Sequence, residues 1–147
     1  MGLNEYERWT LDKPIEELFS HNQTGLNDKE VELLRKVAPV KLLDIGCGNG
    51  QRLFSYLDGL GIDYVGLEKF EKLVRFEGNQ YSDKIIVADI LDIDAKNPPA
   101  GLSDIDTITI LGGSLAGYSG LSSIGKRGGL SEIFCRRAGI SFLKRRW

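Results

Sequence analysis

Three glycines at alternate positions, Gly46, Gly48 and Gly50, interrupt the apolar run around Leu42-Leu43-Asp44-Ile45, and an amphipathic stretch follows at once. Glycines placed where a strand hands over to a helix let the backbone come close to a ligand. The pattern G-x-G-x-G departs from the dinucleotide fingerprint G-x-G-x-x-G, because Gln51 stands where the third glycine of that fingerprint belongs. It points to a nucleoside rather than a pyrophosphate. Glu68 lies about twenty residues past the loop, where an acidic side chain can accept hydrogen bonds from both hydroxyls of a ribose; its plainer role is a helix cap before Lys69. Asp89 suits an adenine amino group, with Ile90 against the ring face, or else serves as a turn or N-cap residue. Asp44 would orient the glycine loop or meet a cationic ligand through water, and a purely structural brace is its alternative. Cys47 fills a small apolar gap rather than attacking a substrate.

The elements that must position these groups follow from periodicity. A short amphipathic helix is expected after Pro14, from the loose spacing of Trp9, Leu11, Ile15, Leu18 and Phe19. Asn27 or Asp28 caps a second helix through Val31, Leu33, Leu34, Val37 and Ala38, with Glu30, Glu32, Arg35 and Lys36 on its wet side, and Pro39 ends it. Residues 40 to 45 form a strand buried apart from Lys41. Residues 51 to 60 form a helix with Leu53, Phe54, Leu57 and Leu60 on one stripe, stopped by Gly59 and Gly61. A second strand spans Tyr64 to Leu67, and an apolar stripe follows at Phe70, Leu73, Val74 and Phe76. A third strand spans Lys84 to Ala88, and a fourth spans Asp104 to Leu111 after the Pro98-Pro99 turn. This alternation is βαβαβ, hence a parallel sheet in an α/β fold. Ligands in such sheets settle beyond the carboxyl ends of the strands, where Asp44, the glycines, Glu68, Asp89 and the segment after Leu111 all fall.

Composition narrows the classes. The chain has 147 residues, 41% of them hydrophobic, which suits one domain, 1–147, with one core. No apolar run approaches the length needed to cross a bilayer, and the opening Met1-Gly2-Leu3-Asn4-Glu5 is acidic where a secretory signal is basic, so the cytoplasm is the expected location. Cys47, Cys135 and the single His21 make a poor set of metal ligands, and no metal is expected. His21 also precludes a Ser/His/Asp set, since it precedes the fold proper. Residues 1–119 hold 12 Lys/Arg against 20 Asp/Glu, whereas residues 120–147 hold 7 against one, Glu132. An acidic body argues against a general nucleic-acid binder; the basic, glycine-containing tail at 120–147 is a solvated face, pairs with an acidic body, or meets an anionic substrate.

The stretch L-L-D-I-G-C-G-N-G, the acid Glu68 and the loop Ala88-Asp89-Ile90-Leu91-Asp92 together resemble the amino-terminal half of a class I S-adenosylmethionine-dependent methyltransferase, over residues 28 to 118 or so. The resemblance implies a Rossmann-like three-layer sandwich with a mostly parallel sheet of strand order 3-2-1-4. It implies S-adenosylmethionine as cofactor and S-adenosylhomocysteine as product. By match, the loop with Asp44, Gly46, Gly48 and Gly50 lies against the methionine part, Glu68 against the ribose, and Asp89 with Ile90 against adenine; Cys47, Lys69 and Leu111 are counted with them as cofactor-binding residues. Leu111-Gly112-Gly113-Ser114-Leu115-Ala116-Gly117-Tyr118 is similar to the segment that lines the transfer centre in small-molecule members, so Ser114 and Tyr118 are candidates for positioning an acceptor. A capping serine and a core-edge aromatic are the alternative. The N/D-P-P-Y/F pattern of nucleic-acid amino-group methyltransferases is absent, which leans the acceptor toward a small molecule.

Full members have a seven-stranded sheet, whereas only 29 residues follow Tyr118 here, so some or all of the last three strands are expected to be missing. Gly129 to Ala138 reads as one short helix, and Ile140 to Leu143 as a short strand or helix turn. Either the module covers an open sheet edge with a second copy or a protein partner, or the reading frame ends early. The competing function is a non-catalytic cofactor-binding or partner-binding scaffold. A nicotinamide-dependent oxidoreductase is disfavoured by Gln51.

Overall fold

The computed structural model describes residues 5–20, 25–94, 97–111, 132–135 and 140–141. Two short helices, α1 (Glu5–Asp12) and α2 (Ile15–Ser20), precede α3 (Asp28–Val37). The chain then alternates through β1 (Lys41–Ile45), α4 (Gln51–Leu57), β2 (Asp63–Glu68), α5 (Glu71–Val74), β3 (Ile85–Val87) and β4 (Thr107–Ile110). Two further strands, β5 (Glu132–Cys135) and β6 (Ile140–Ser141), complete a sheet of order β3-β2-β1-β4-β5-β6. The first four are parallel, in the expected order 3-2-1-4, and β5 and β6 are antiparallel.

Strand alternation builds the core on both faces of the sheet, which makes the domain a three-layer α/β sandwich. On one face Leu42, Tyr64 and Ile85 pack with Leu34 of α3, Leu53, Phe54 and Leu57 of α4, and Val74 and Tyr81. On the other, Leu43, Ile45, Leu67 and Ile110 meet the connection that carries Ile90, Ile93, Leu102 and Ile105. Phe54 stacks on Tyr64 at 4.4 Å between ring centroids and meets the edge of Tyr81 at 5.7 Å, so α4 is held to β2 by its largest fully buried side chain.

The structure departs from the sequence expectations in identifiable places. Glu30 was assigned to the wet side of α3, yet it is only 3% exposed: Arg52 of α4 reaches it at 2.6 Å and Asn27 donates to it at 2.8 Å. A partner twenty-two residues away makes burial of this charge affordable. Val40 precedes β1 and is exposed, and Leu60 lies in a 3₁₀ turn, Asp58–Leu60, that rotates it off the α4 stripe. Residues 132–135, read as part of a helix, form β5 instead. Their backbone completes β4, with Ile108 opposite Phe134 and Thr109 opposite Ile133, and pairing of an otherwise open strand outweighs a weak helical preference. Ile140–Ser141 is a short strand, as one of the two readings had it. The edge of β4, for which a second copy or partner was one of two readings, is therefore taken by the same chain. Among the described residues no helix is long and apolar enough to cross a membrane.

Candidate functional site

The glycine loop begins where β1 stops. The N–H groups of Gly46 and Cys47 both donate to the Leu67 carbonyl, at 2.8 and 3.3 Å, which ties the loop to the end of β2. All three glycines lie in the left-handed region, with φ of +71°, +59° and +81°. The last two serve different ends. A Cβ on Gly50 would lie 2.4 Å from Phe54 Cδ2, so this glycine lets α4 pack closely, whereas a Cβ on Gly48 would meet nothing within 4 Å. The middle of the loop thus faces open space. Asn49 braces the following turn by accepting the Gln51 N–H at 3.0 Å.

Glu68 closes this loop from β2. Its Oε2 accepts the Gly48 N–H at 2.9 Å and its Oε1 accepts the Phe70 N–H at 3.1 Å. Burial raises the carboxyl above its ordinary pKa, opposed by the backbone N–H groups of Phe70, Gly48 and Lys69. The acid predicted to serve a ligand is therefore also the clasp between loop and strand.

Asp44 stands behind the loop, 4% exposed, and accepts a hydrogen bond from Thr109 Oγ1 of β4 at 2.7 Å. Burial pushes its pKa up to about 7; the Thr109 hydrogen bond and Arg52 act against that rise, and the charges of Glu68 and Glu30 add to it. Cys47 packs on the core above Gly66, where a Cβ would lie 2.5 Å from its Sγ. Burial, then the charges of Asp44 and Glu68, push its thiol well above the ordinary value, which suits a gap-filling residue and not a nucleophile.

Asp89 caps the 3₁₀ turn Ile90–Asp92: its Oδ1 accepts the Leu91 N–H at 2.9 Å, and its Oδ2 lies 3.3 Å from Lys69 Nζ. Lys69 also donates to Glu7 of α1. Ile90 is half-buried against the second face of the core, and Leu111 is buried in the first. The structure thus brings Asp44, the three glycines, Cys47, Glu68, Lys69 and Asp89 to one end of β1, β2 and β3. Ser114 and Tyr118 lie outside the described residues.

Sequence reasoning missed four participants: Glu30, Arg52, Thr109 and Glu7. Only the first carried a local signal. Asn27 caps α3 and accepts the Glu30 N–H at 2.9 Å while its amide donates back to the Glu30 carboxylate, a reciprocal pairing at the spacing of a capping box. Among the described residues no group of three or more His, Cys, Asp or Glu stands where it could hold a metal ion.

No family model matches the chain, and no curated protein matches it. Among solved structures, the plantazolicin methyltransferase BpumL in complex with SAH is similar at 20% identity, over 77% of this chain and 59% of that chain, with a TM-score of 0.36. Its complex with a monoazolic desmethylPZN analog and SAH is similar at 21% identity, over 78% and 60% of the two chains, with a TM-score of 0.37. The chain spans about 59% of the length of the first of these structures.

Proposed function

We propose that this chain is an S-adenosylmethionine-binding module of class I methyltransferase type, comprising one domain over residues 1–147 and acting on a small-molecule acceptor in the cytoplasm. One observation carries the reading: the Gly48 N–H and the Glu68 carboxylate meet at 2.9 Å at the carboxyl ends of β1 and β2, in a loop whose three glycines are all left-handed. The residues present fit the nucleoside. Oε2 of Glu68 accepts the Gly48 N–H and Oε1 the Phe70 N–H, and because a carboxylate oxygen has capacity for more than one donor, the ribose can be taken without breaking the clasp. The space in front of Gly48 lets the ligand approach the backbone.

Each side chain then has a distinct task. Glu68 orients the ribose, Asp89 accepts from the adenine amino group beside Ile90, and Asp44 supplies negative charge behind the loop toward the cationic methionine end. Arg52, held by Glu30, limits how far burial suppresses that charge. Lys69 sets Asp89 rather than reaching the ribose itself, and Leu111 backs the site from β4. Ser114 and Tyr118 are assigned to positioning the acceptor. When bound, S-adenosylmethionine supplies an already activated sulfonium methyl; the protein needs to align the acceptor and exclude water.

Isothermal titration calorimetry of the folded chain with S-adenosylmethionine and S-adenosylhomocysteine, with NAD as control, tests the reading. Micromolar binding of the first two and none of NAD is expected. A folded chain that binds neither sulfur nucleoside overturns it, and binding without transfer to any acceptor leaves a cofactor-binding module alone.

A further inference from the structure

Helix α1 reaches the ligand end of the sheet from far away in sequence, and two cations fix it there. Lys69, immediately after the clasp residue Glu68, donates to Glu7 in the first turn of α1. Lys72 of α5 donates to the Leu11 carbonyl at 2.7 Å and to that of Lys13, and it lies 3.4 Å from the Thr10 carbonyl. A cation at the carbonyl end of a helix complements its dipole and its unpaired acceptors. Glu7 and Thr10 are both buried, so this face of α1 is packed against the domain.

The same ammonium group serves both acids. Lys69 Nζ lies 3.3 Å from Asp89 Oδ2 and closer to Glu7, while the other Asp89 oxygen caps its own turn. Two carboxylates thus share one cation, and Glu7 holds the larger part of it. A carboxylate gripped by a lysine in a full ion pair is a poorer acceptor for a neutral amino group than one whose counter-charge is shared.

We propose that Glu7 is a positioning residue for the adenine end of the site: by drawing Lys69 toward α1 it leaves Asp89 available to accept from the exocyclic amine. This rests on the cofactor assignment made above and adds α1 to that site as a wall fixed by Lys69 and Lys72.

The test compares S-adenosylhomocysteine with its analogue in which hydrogen replaces the 6-amino group of adenine, both by calorimetry. The unaltered chain is expected to prefer the amino ligand by about tenfold, the worth of a hydrogen bond to a charged acceptor. Glu7→Gln should weaken binding of the amino ligand several-fold and leave the deamino ligand unchanged, and Glu7→Asp should restore part of the preference. Equal weakening of both ligands would show that α1 only supports the fold, and no change in either would remove the role of Glu7; both outcomes overturn the proposal. Should Glu7→Gln fail to fold by circular dichroism, Asp89→Ala, which removes the acceptor outright, carries the test: the preference should vanish, and its persistence overturns the proposal. A folded, unaltered chain that binds neither ligand overturns the cofactor assignment itself, and this inference with it, whereas binding with no preference for the amino ligand overturns this inference alone.

Discussion

The two ends of the sheet use acidic side chains in opposite ways. At the amino end, Asp106 accepts the Val40 N–H at 3.0 Å and the Thr107 hydroxyl at 2.8 Å, bracing the entry to β1 and β4. Nearby, Asp58 accepts from the phenols of Tyr64 and Tyr81, fastening the end of α4 to β2 and to the turn before β3. The donors there belong to the fold, and the acids fasten one element to the next. At the carboxyl end, Asp44 and Glu68 are buried to 4% and 6% exposure, and both hold their protons more tightly than ordinary carboxyls. Burying acids beside one another opposes stability unless something else gains by it. The contrast separates acids that only fasten the fold from buried acids whose cost the proposed ligand would offset.

The most damaging change to the carboxyl end should be Glu68→Ala. It removes both acceptors of the clasp and, on the proposed assignment, both ribose contacts, so affinity for S-adenosylmethionine should fall by about a hundredfold, near 3 kcal/mol, by calorimetry. Thermal unfolding should move little, because the lost N–H contacts are offset by relief of a buried carboxyl. Unchanged affinity would remove the ribose assignment and make Glu68 a brace like Asp106.

Asp44 gives a test in pH. Its carboxyl holds a proton up to about pH 7 in the folded chain, against an ordinary value of 3.8. Between those values folding takes up a proton. The stabilisation from this group is therefore complete below the unfolded value, declines as pH rises, and is gone once pH passes the folded value. Asp44→Asn should flatten much of that decline, which denaturant titrations from about pH 4 to pH 8 would reveal; Glu68, shifted in the same direction, leaves a shallower slope behind. A cationic ligand favours the ionised form, so affinity should rise toward neutrality by up to tenfold per pH unit and level off above it. A pH-independent affinity in the unaltered chain would separate Asp44 from the ligand.

How much of this was legible in the sequence follows the same division. The glycine loop, Glu68 and Asp89 could be read because each sits at a strand end whose apolar run is local; the parallel sheet followed from βαβ alternation, and its order 3-2-1-4 from the family resemblance. Arg52, Thr109 and Glu7 could not, because what makes them part of the site is a partner 22 to 65 residues distant. Polarity alone sends Glu30 to solvent; Arg52 together with the local partner Asn27 holds it inside. Strand β5 failed for the same reason, since Ile133 and Phe134 find their state by pairing with Thr109 and Ile108 and not from their neighbours in sequence.

The smallest effect sharpens the comparison from the other end. Tyr81 donates to Asp58 Oδ2 at 3.1 Å, while its ring meets Phe54 edge-on and its Cβ lies 3.2 Å from the position a Gly50 Cβ would occupy. Tyr81→Phe keeps the ring and removes only the hydroxyl, so the apolar contact beneath the glycine loop survives. Asp58 retains the Tyr64 phenol, and the loss should be about 1 kcal/mol, the ordinary worth of one hydrogen bond. Denaturant unfolding would report it as a lower midpoint at unchanged slope. Affinity for S-adenosylmethionine should stay the same, because the hydroxyl belongs to the fastening end while the Cβ beside Gly50 and the ring against Phe54 stay in place. A drop in affinity would mean that the two ends are coupled through Phe54, and the division between holding the fold and holding the ligand would then fail at the helix that joins them.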